Sequence, residues 1–454
     1  MIRRLATVAA GSCGKRAVRA LSVANHAHGT ATSAVEGGAS FHSSATANAP
    51  EPTASSGAQN SVPFPREGPG VSYALNWSLA AAGVTPAGLV QRNVKPSKLG
   101  AAAPAGSKAP ARVAVKGSKD LSKADYNKLL KEVTAHLSSL PSVFVQDGAV
   151  GSASLSDVRT RAICDSPAAA AAMAALLCPT PTRTLAADSF PLTAYVAPNF
   201  KTNTAGDALI AVDWETSSLV VTGAAVADAA SIQAVLAAAA GSAALKKGAL
   251  LLNARFISAK PGSCLLLSPP SAASVLPKSS AFPEDSLLWS AGGVARLFPG
   301  KDASAPNLYV GPNAVVLLTS DSSKVLPPVL KLSPKQAAFY FLAGYDGAAF
   351  NPAFAPPAFA PKPAAAALAA AAGGAAPLAL ALKLAEQLEA TSTPAYLINT
   401  FEEQDPGKLV HAAISGKIPA AKKPTEEALT TLRSKFDAFI KGRFPDLPED
   451  ISPL

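Results

Sequence analysis

Only 4 cysteines, 2 methionines and 5 histidines occur in 454 residues, and aromatic residues make up 6% of the chain. The cysteines, Cys13, Cys164, Cys178 and Cys264, show no C-x-x-C spacing. That excludes a zinc ribbon and a disulfide scaffold and points to buried thiols in a reducing compartment. Charge is also scarce, at 15% against 49% hydrophobic residues, a balance too apolar for a disordered chain. No stretch interleaves Lys or Arg with stacking aromatics, so the net charge of +10 is no nucleic-acid signature and no nucleic-acid partner is expected. Long strongly apolar runs are missing too. The most apolar stretch, Ala364 to Leu382, is mostly alanine and is interrupted by Gly373, Gly374 and Pro377, so no transmembrane span is expected.

Alanine is abundant instead, at about a fifth of the chain, a residue that favours helices and fills space without carrying chemistry. Five basic residues, Arg3, Arg4, Lys15, Arg16 and Arg19, precede the first acid, Glu36. A basic, Ser- and Ala-rich, acid-poor start reads as an organelle transit peptide over 1–45, mitochondrial rather than plastid. Positions 46–75, with Pro50, Pro52, Pro63, Pro65 and Pro69, read as an extended Pro/Gly/Ser-rich arm or linker.

The remaining length suits two lobes, expected at 76–248 and 249–454. Ser122 and Asp125 read as a helix start, followed at helical spacing by Tyr126, Leu129, Leu130, Val133 and Leu137. Short apolar runs at Val143 to Val145, Ala194 to Val196, Leu209 to Val212 and Leu219 to Val221 read as strands, with Ala-rich helices at Ala168 to Leu177 and Ala227 to Ala240. Further strands are expected at Leu250 to Leu252, Leu265 to Leu267, Val315 to Thr319 and Tyr396 to Asn399, and helices around Gln336 to Leu342 and Leu380 to Leu388. A last helix starts at Pro424 and Thr425 and buries Leu429, Leu432, Phe436, Phe439 and Ile440 before Pro445. The fold class is α/β with mixed sheets and Ala-rich helices.

Chemistry-bearing motifs are absent. The chain has no G-x-x-x-x-G-K-[ST], H-E-x-x-H, G-x-S-x-G or dinucleotide fingerprint. Beyond the leader only His136 and His411 remain, and both read as surface histidines. The acids Asp213, Glu215, Asp285 and Asp321 read as turn and cap residues. No catalytic, cofactor-binding or metal-ligating residue is expected, and no cofactor.

One segment is nevertheless distinctive. Leu317 to Tyr345, LLTSDSSKVLPPVLKLSPKQAAFYFLAGY, resembles ATP-dependent phosphoenolpyruvate carboxykinase, with its strand, L-P-P-V turn and helix ending in F-x-x-G-[YF]. Weaker likeness runs colinearly from Asn76 to Val84, through Leu121 to Phe200, to Tyr396 to Thr400 (YLINT) and Ile414 to Ile418 (ISGKI). The resemblance implies a two-lobed carboxykinase-like fold. It also implies positions for the family's ligands, and those have changed. The substrate-binding arginine corresponds to Ser107, the metal-binding lysine to Ala230 or Ser231, and the metal-binding histidine falls near Asn253. The phosphate loop corresponds to Ser268 to Val275 (SPPSAASV), where Pro269 and Pro270 lack N–H donors and no lysine stands. Glu284, Asp285 and Asp302 do not rebuild the family's acidic metal motif, and Phe401 to Gln404 replaces its final G-W.

What this implies is a pseudoenzyme: a fold kept after its chemistry was abandoned. The Ala- and Pro-rich body and basic leader resemble green algal mitochondrial proteins, among which the ATP synthase has accessory subunits of about this size at its peripheral stalk and dimer contact. The expected role is a structural subunit on the matrix side, peripheral to the inner membrane, with other subunits of such a complex as partners. The alternative is a residual binder of a nucleotide or organic acid, for which Lys108, Arg112 and Arg296 are the attractive cations.

Overall fold

Ser122 does cap a helix. Its side chain accepts from the Asp125 N–H, and α1 (Lys123–Ser139) buries Tyr126, Leu129, Val133 and Leu137 along one stripe. The computed structural model describes residues 79–99, 115–116, 121–180, 191–201, 208–226, 228–259, 262–268, 282–300, 308–322, 325–346, 349–350, 376–401, 405–418 and 425–452. The expected leader over 1–45 and arm over 46–75 lie outside them. Every described residue belongs to one compact unit, Ala58–Leu454.

Seven strands form the first sheet: β1 (Leu89–Arg92), β2 (Val115–Lys116), β3 (Ser142–Val150), β4 (Val158–Cys164), β5 (Leu192–Ala197), β6 (Ala208–Asp213) and β7 (Ser218–Thr222). Their order is β1-β3-β4-β5-β7-β6-β2, and β4, β5 and β7 run parallel. Alternate residues serve opposite faces. Val143, Val145, Ile163, Tyr195 and Val220 meet α1, whereas Ala162, Cys164, Ala194, Val196 and Val221 meet α2 (Pro167–Leu176) and α3 (Ala229–Lys246).

α3 is long and apolar enough to cross a membrane by length and composition, yet Ile232, Val235, Leu236 and five of its alanines sit in the core cluster. Alanine allows close approach there, and Gly241 goes further. A Cβ on it would come within 2.6 Å of the Leu251 side chain, so the helix and the second sheet touch across this glycine. The lobe boundary expected near Gly248 falls in the turn that follows.

The second sheet contains β8 (Leu250–Ala259), β9 (Gly262–Leu267), β10 (Phe282–Ser290), β11 (Gly293–Arg296), β12 (Leu308–Tyr309), β13 (Ala314–Thr319), β14 (Val329–Leu332) and β17 (Ala395–Asn399), ordered β12-β11-β10-β8-β9-β13-β17-β14. A separate hairpin pairs β15 (Tyr345–Asp346) with β16 (Ala349–Phe350). Strands β9, β13 and β17 are mutually parallel and the rest of this sheet is antiparallel. One face packs on α4 (Pro334–Ala343), α5 (Pro377–Thr391) and α7 (Glu426–Arg443), and the other on α6 (Pro406–Ser415). α4 is closed at both ends: Ser333 and Gln336 form a capping box, and Gly344 leaves it at φ 52°. The architecture is mixed α/β with two sheets.

Candidate functional site

In open sheets with parallel strands, ligands bind beyond the carboxyl ends of those strands. Here those ends are Ser268 after β9, Thr319 to Asp321 after β13, and Asn399 to Phe401 after β17. Asp321 is fully buried and Asn399 is 9% exposed. Asn399 Oδ1 accepts the N–H of Asp321 at 2.9 Å and that of Phe401 at 3.2 Å. Its Nδ2 donates to the carbonyls of Asp321 (3.3 Å) and Leu326 (3.2 Å). A side-chain amide has two donors and two acceptor lone pairs, so all of its capacity is used.

Its neighbours are committed in the same way. Asp321 Oδ2 accepts the Leu326 N–H at 3.2 Å. The Thr319 hydroxyl donates to the Tyr345 carbonyl at 2.8 Å, and the Thr400 hydroxyl and N–H both donate to the Thr319 carbonyl. The Asn399 N–H reaches the Pro328 carbonyl at 3.0 Å. The L-P-P-V turn and the YLINT strand, 70 residues apart in the chain, therefore lock one another. Among the described residues this edge presents internal bonds in place of outward-facing donors.

The positions implied by the resemblance fall as follows. Asp228 caps α3, its Oδ1 accepting the N–H groups of Ala230 (3.0 Å) and Ser231 (3.1 Å) and its Oδ2 the Ser231 hydroxyl (2.6 Å). Ala230 and Ser231 are thus the first turn of a core helix. Asn253 is half-buried on β8, opposite Ser286. Glu284 and Asp285 lie along β10. Ser107, Lys108, Arg112, Pro269 to Val275, Asp302 and Glu402 to Gln404 lie outside the described residues. Arg296 ends β11 half-buried, its guanidinium against Gly300 and its backbone paired with Ser152.

The two histidines are not brought together. His411 is exposed on α6, whereas His136, on α1, corrects the surface reading: it is half-buried, 3.6 Å from the enclosed Asp165 carboxylate and against the Phe200 ring. Among the described residues no group of three His, Cys, Asp or Glu side chains is placed to hold a metal. Asp213 organises a turn, accepting from the Glu215 N–H and the Thr216 hydroxyl, and pairs with Lys123. Cys164 and Cys264 are buried and Cys178 is half-buried. Burial pushes the Cys178 thiol up to about 11 and that of Cys264 to about 12.

One charged cluster was invisible in the sequence. Arg92 on β1 and Arg161 on β4 converge on Asp147 of β3, with Arg92 fully buried. Arg92 Nε donates to Oδ2 at 2.8 Å, its Nη2 reaches the same oxygen, and Arg161 Nε donates to Oδ1 at 2.8 Å. Burial lowers the Arg92 pKa from its ordinary value while Asp147 opposes that shift. No short-range pattern flags this cluster. Asp147 lies 55 positions from one arginine and 14 from the other.

Comparison with known proteins finds a family likeness in the part of the chain that carries β12 to β17 and α6. Residues 300–416 match the family model described as phosphoenolpyruvate carboxykinase. Phosphoenolpyruvate carboxykinase (ATP) of Oceanobacillus iheyensis is 27% identical over 175 residues, covering 32% of this chain and 28% of that protein. The protein of the same name from Rubrobacter xylanophilus is 41% identical over 132 residues, 25% of this chain and 24% of its own length. That of Bacillus cytotoxicus is 50% identical over 40 residues, 9% of this chain and 8% of its length. The chain matches at most 28% of the length of these relatives. Over that part, which includes the L-P-P-V turn and the strand that locks it, the protein is phosphoenolpyruvate carboxykinase-like.

Proposed function

We propose that this chain is a non-catalytic structural accessory subunit of a large mitochondrial complex, matrix-side and peripheral to the inner membrane, with the ATP synthase peripheral stalk or dimer contact as its place. The observation that carries the non-catalytic reading is the closure at the ends of β13 and β17, where Asn399, Asp321, Thr319 and Thr400 spend polar groups on one another and on the backbone of Leu326 and Tyr345. A nucleotide site needs such groups aimed outward. The absence of any G-K-[ST] in the chain supports the same reading. So does the use of Asp228 to cap a helix whose next residues are Ala230 and Ser231. The mitochondrial placement rests on the basic, acid-poor first 45 residues. The choice of complex rests on composition and size.

Native gel separation of solubilised mitochondria, with mass spectrometry of the bands, tests this. Comigration with ATP synthase or another respiratory complex is expected. Migration as a free chain or its dimer overturns the structural reading.

The names of the relatives favour a second reading, a residual enzyme or a nucleotide or organic-acid binder derived from phosphoenolpyruvate carboxykinase. It is distinguished by stabilisation. A bound ligand at 100 times its dissociation constant stabilises by about 2.7 kcal/mol, so a rise in melting temperature with ATP and magnesium supports this reading, and an unchanged melting temperature supports the structural one.

A further inference from the structure

The face of the first sheet that carries α1 is divided. Its apolar half, with Val145, Ile163, Tyr195 and Val220, lies under the helix. Farther along the same face the strands carry Arg92, Asp147 and Arg161, which an apolar helix stripe cannot cover. Where the halves meet, the helix stands off and leaves a cavity of about 500 Å³, within the size range of small-molecule sites.

Its walls combine three elements. From α1 come Leu130 and Lys131, from the sheet Arg161, Leu192, Thr193 and Ser218, and from the 3₁₀ turn Ala80–Ala82 two alanine methyls. The turn is fixed by the Tyr195 hydroxyl, which donates to the Ala82 carbonyl at 2.7 Å. Arg161 is held in orientation by Asp147, through Nε at 2.8 Å and Nη2 at 3.3 Å. Lys131 is exposed, and none of the described lining residues is acidic.

The geometry points to this cavity as a binding site for a small organic monoanion, a carboxylate carried on a compact apolar frame. Two side chains of the wall are cationic, the guanidinium that Asp147 sets in place and an exposed ammonium, and both favour a carboxylate. The Thr193 hydroxyl adds a polar partner, whereas the buried Ser218 hydroxyl is spent on Tyr126 and Thr216, each at 2.6 Å. Leu130 and the alanine methyls supply the apolar surface that a compact hydrocarbon frame would cover. Inorganic phosphate would leave that surface wet. The site lies on the α1 face of the first sheet, not at the carboxyl ends of β9, β13 and β17, and it stands whether or not the chain is an architectural subunit.

Isothermal titration calorimetry of the full chain with acetate, butyrate and benzoate, and with benzamide as the neutral isostere of benzoate, tests this. Saturable benzoate or butyrate binding in the millimolar range or tighter is expected, with benzamide at least about tenfold weaker. Lys131→Gln should weaken binding several-fold, and Thr193→Phe, which fills the cavity, should abolish it. Both variants should melt as the parent does without ligand, since Lys131 is exposed and the half-buried Thr193 borders the cavity that the new ring would fill. No saturable binding by any of the carboxylates, equal binding of benzamide, phosphate binding as tightly as benzoate, or unaltered binding by a folded Thr193→Phe variant would each overturn the proposal.

Discussion

Asp321 donates its backbone N–H to the side-chain oxygen of Asn399 at 2.9 Å, and Asn399 returns its Nδ2 to the Asp321 carbonyl at 3.3 Å. This reciprocal pair joins the exits of two parallel strands and, through Leu326, anchors the turn between β13 and β14. It gives a structural reason for an asparagine at the end of Y-L-I-N-T that requires no ligand.

Replacing that asparagine should therefore destabilise the fold. Asn399→Ala strands the Asp321 and Phe401 N–H groups and the Leu326 carbonyl in or near the core, at about 1–3 kcal/mol for each unsatisfied buried group. A loss of about 3 kcal/mol in urea unfolding is the expected outcome. A loss below about 0.5 kcal/mol would mean that the network does not hold the edge together.

Much of the local structure was legible in the sequence because its signals are short-range. Ser122 and Asp125 announced α1, and the run Val315 to Thr319 became β13 with only Ala314 added. Strand β8 ran to Ala259, well past the expected Leu252, because Asn253 and Arg255 alternate with Ala254 and Phe256 in a strand whose apolar side chains enter the core. β4 was not read as a strand at all: V-R-T-R hides a buried interior strand behind two arginines. The Arg161 charge is tolerable inside because Asp147 meets it in register across β3 and β4, and register is a tertiary property. The closure by Asn399 was likewise unreadable, since its partners lie 73 and 78 positions away.

The same cluster makes a second prediction. Asp147→Asn leaves two largely buried guanidinium groups without the carboxylate that both now contact, and breaking a buried ion pair from one side costs about 3–5 kcal/mol. Urea unfolding should register a loss of that size. Replacing Arg92, Arg161 and Asp147 together, by Met, Met and Leu, should recover a substantial part of it, because apolar substitution of a whole buried ionic cluster is often neutral. Equal losses in the single and triple variants would contradict the pairing.

Alkaline pH should weaken the fold through its thiols. Burial raises Cys178 from an ordinary value of 9.0 to about 11 and Cys264 to about 12. Between pH 9 and 11 the unfolded chain has lost protons that the native chain retains, so stability falls as pH rises through this window and is unaffected well below 9. The urea midpoint should decline from pH 9 to 11, and Cys178→Ala should make the decline shallower. A flat profile over that range would contradict the burial of these groups. Buried thiols should also alkylate slowly with iodoacetamide at pH 8, since the thiolate is the nucleophile.

The edge of the second sheet depends on one backbone conformation. Gly293 opens β11 at φ 121°, and a Cβ there would lie 2.1 Å from the Tyr309 carbonyl oxygen. An alanine must both adopt a conformation that L-residues rarely occupy and displace the strand paired with β11, where Val294 faces Tyr309. The displacement also disturbs the Tyr309 ring, which sits 4.8 Å from that of Phe256 in the core. Gly293→Ala should cost about 2–4 kcal/mol. Gly311→Ala, two residues beyond β12, is the matched control: a Cβ there meets nothing within 4 Å, and the change should stay within about 0.5 kcal/mol. Because both variants add the same methyl near the same edge, a difference between their urea midpoints isolates the backbone and the Tyr309 contact, and equal midpoints would remove β12 from the stable core of the sheet.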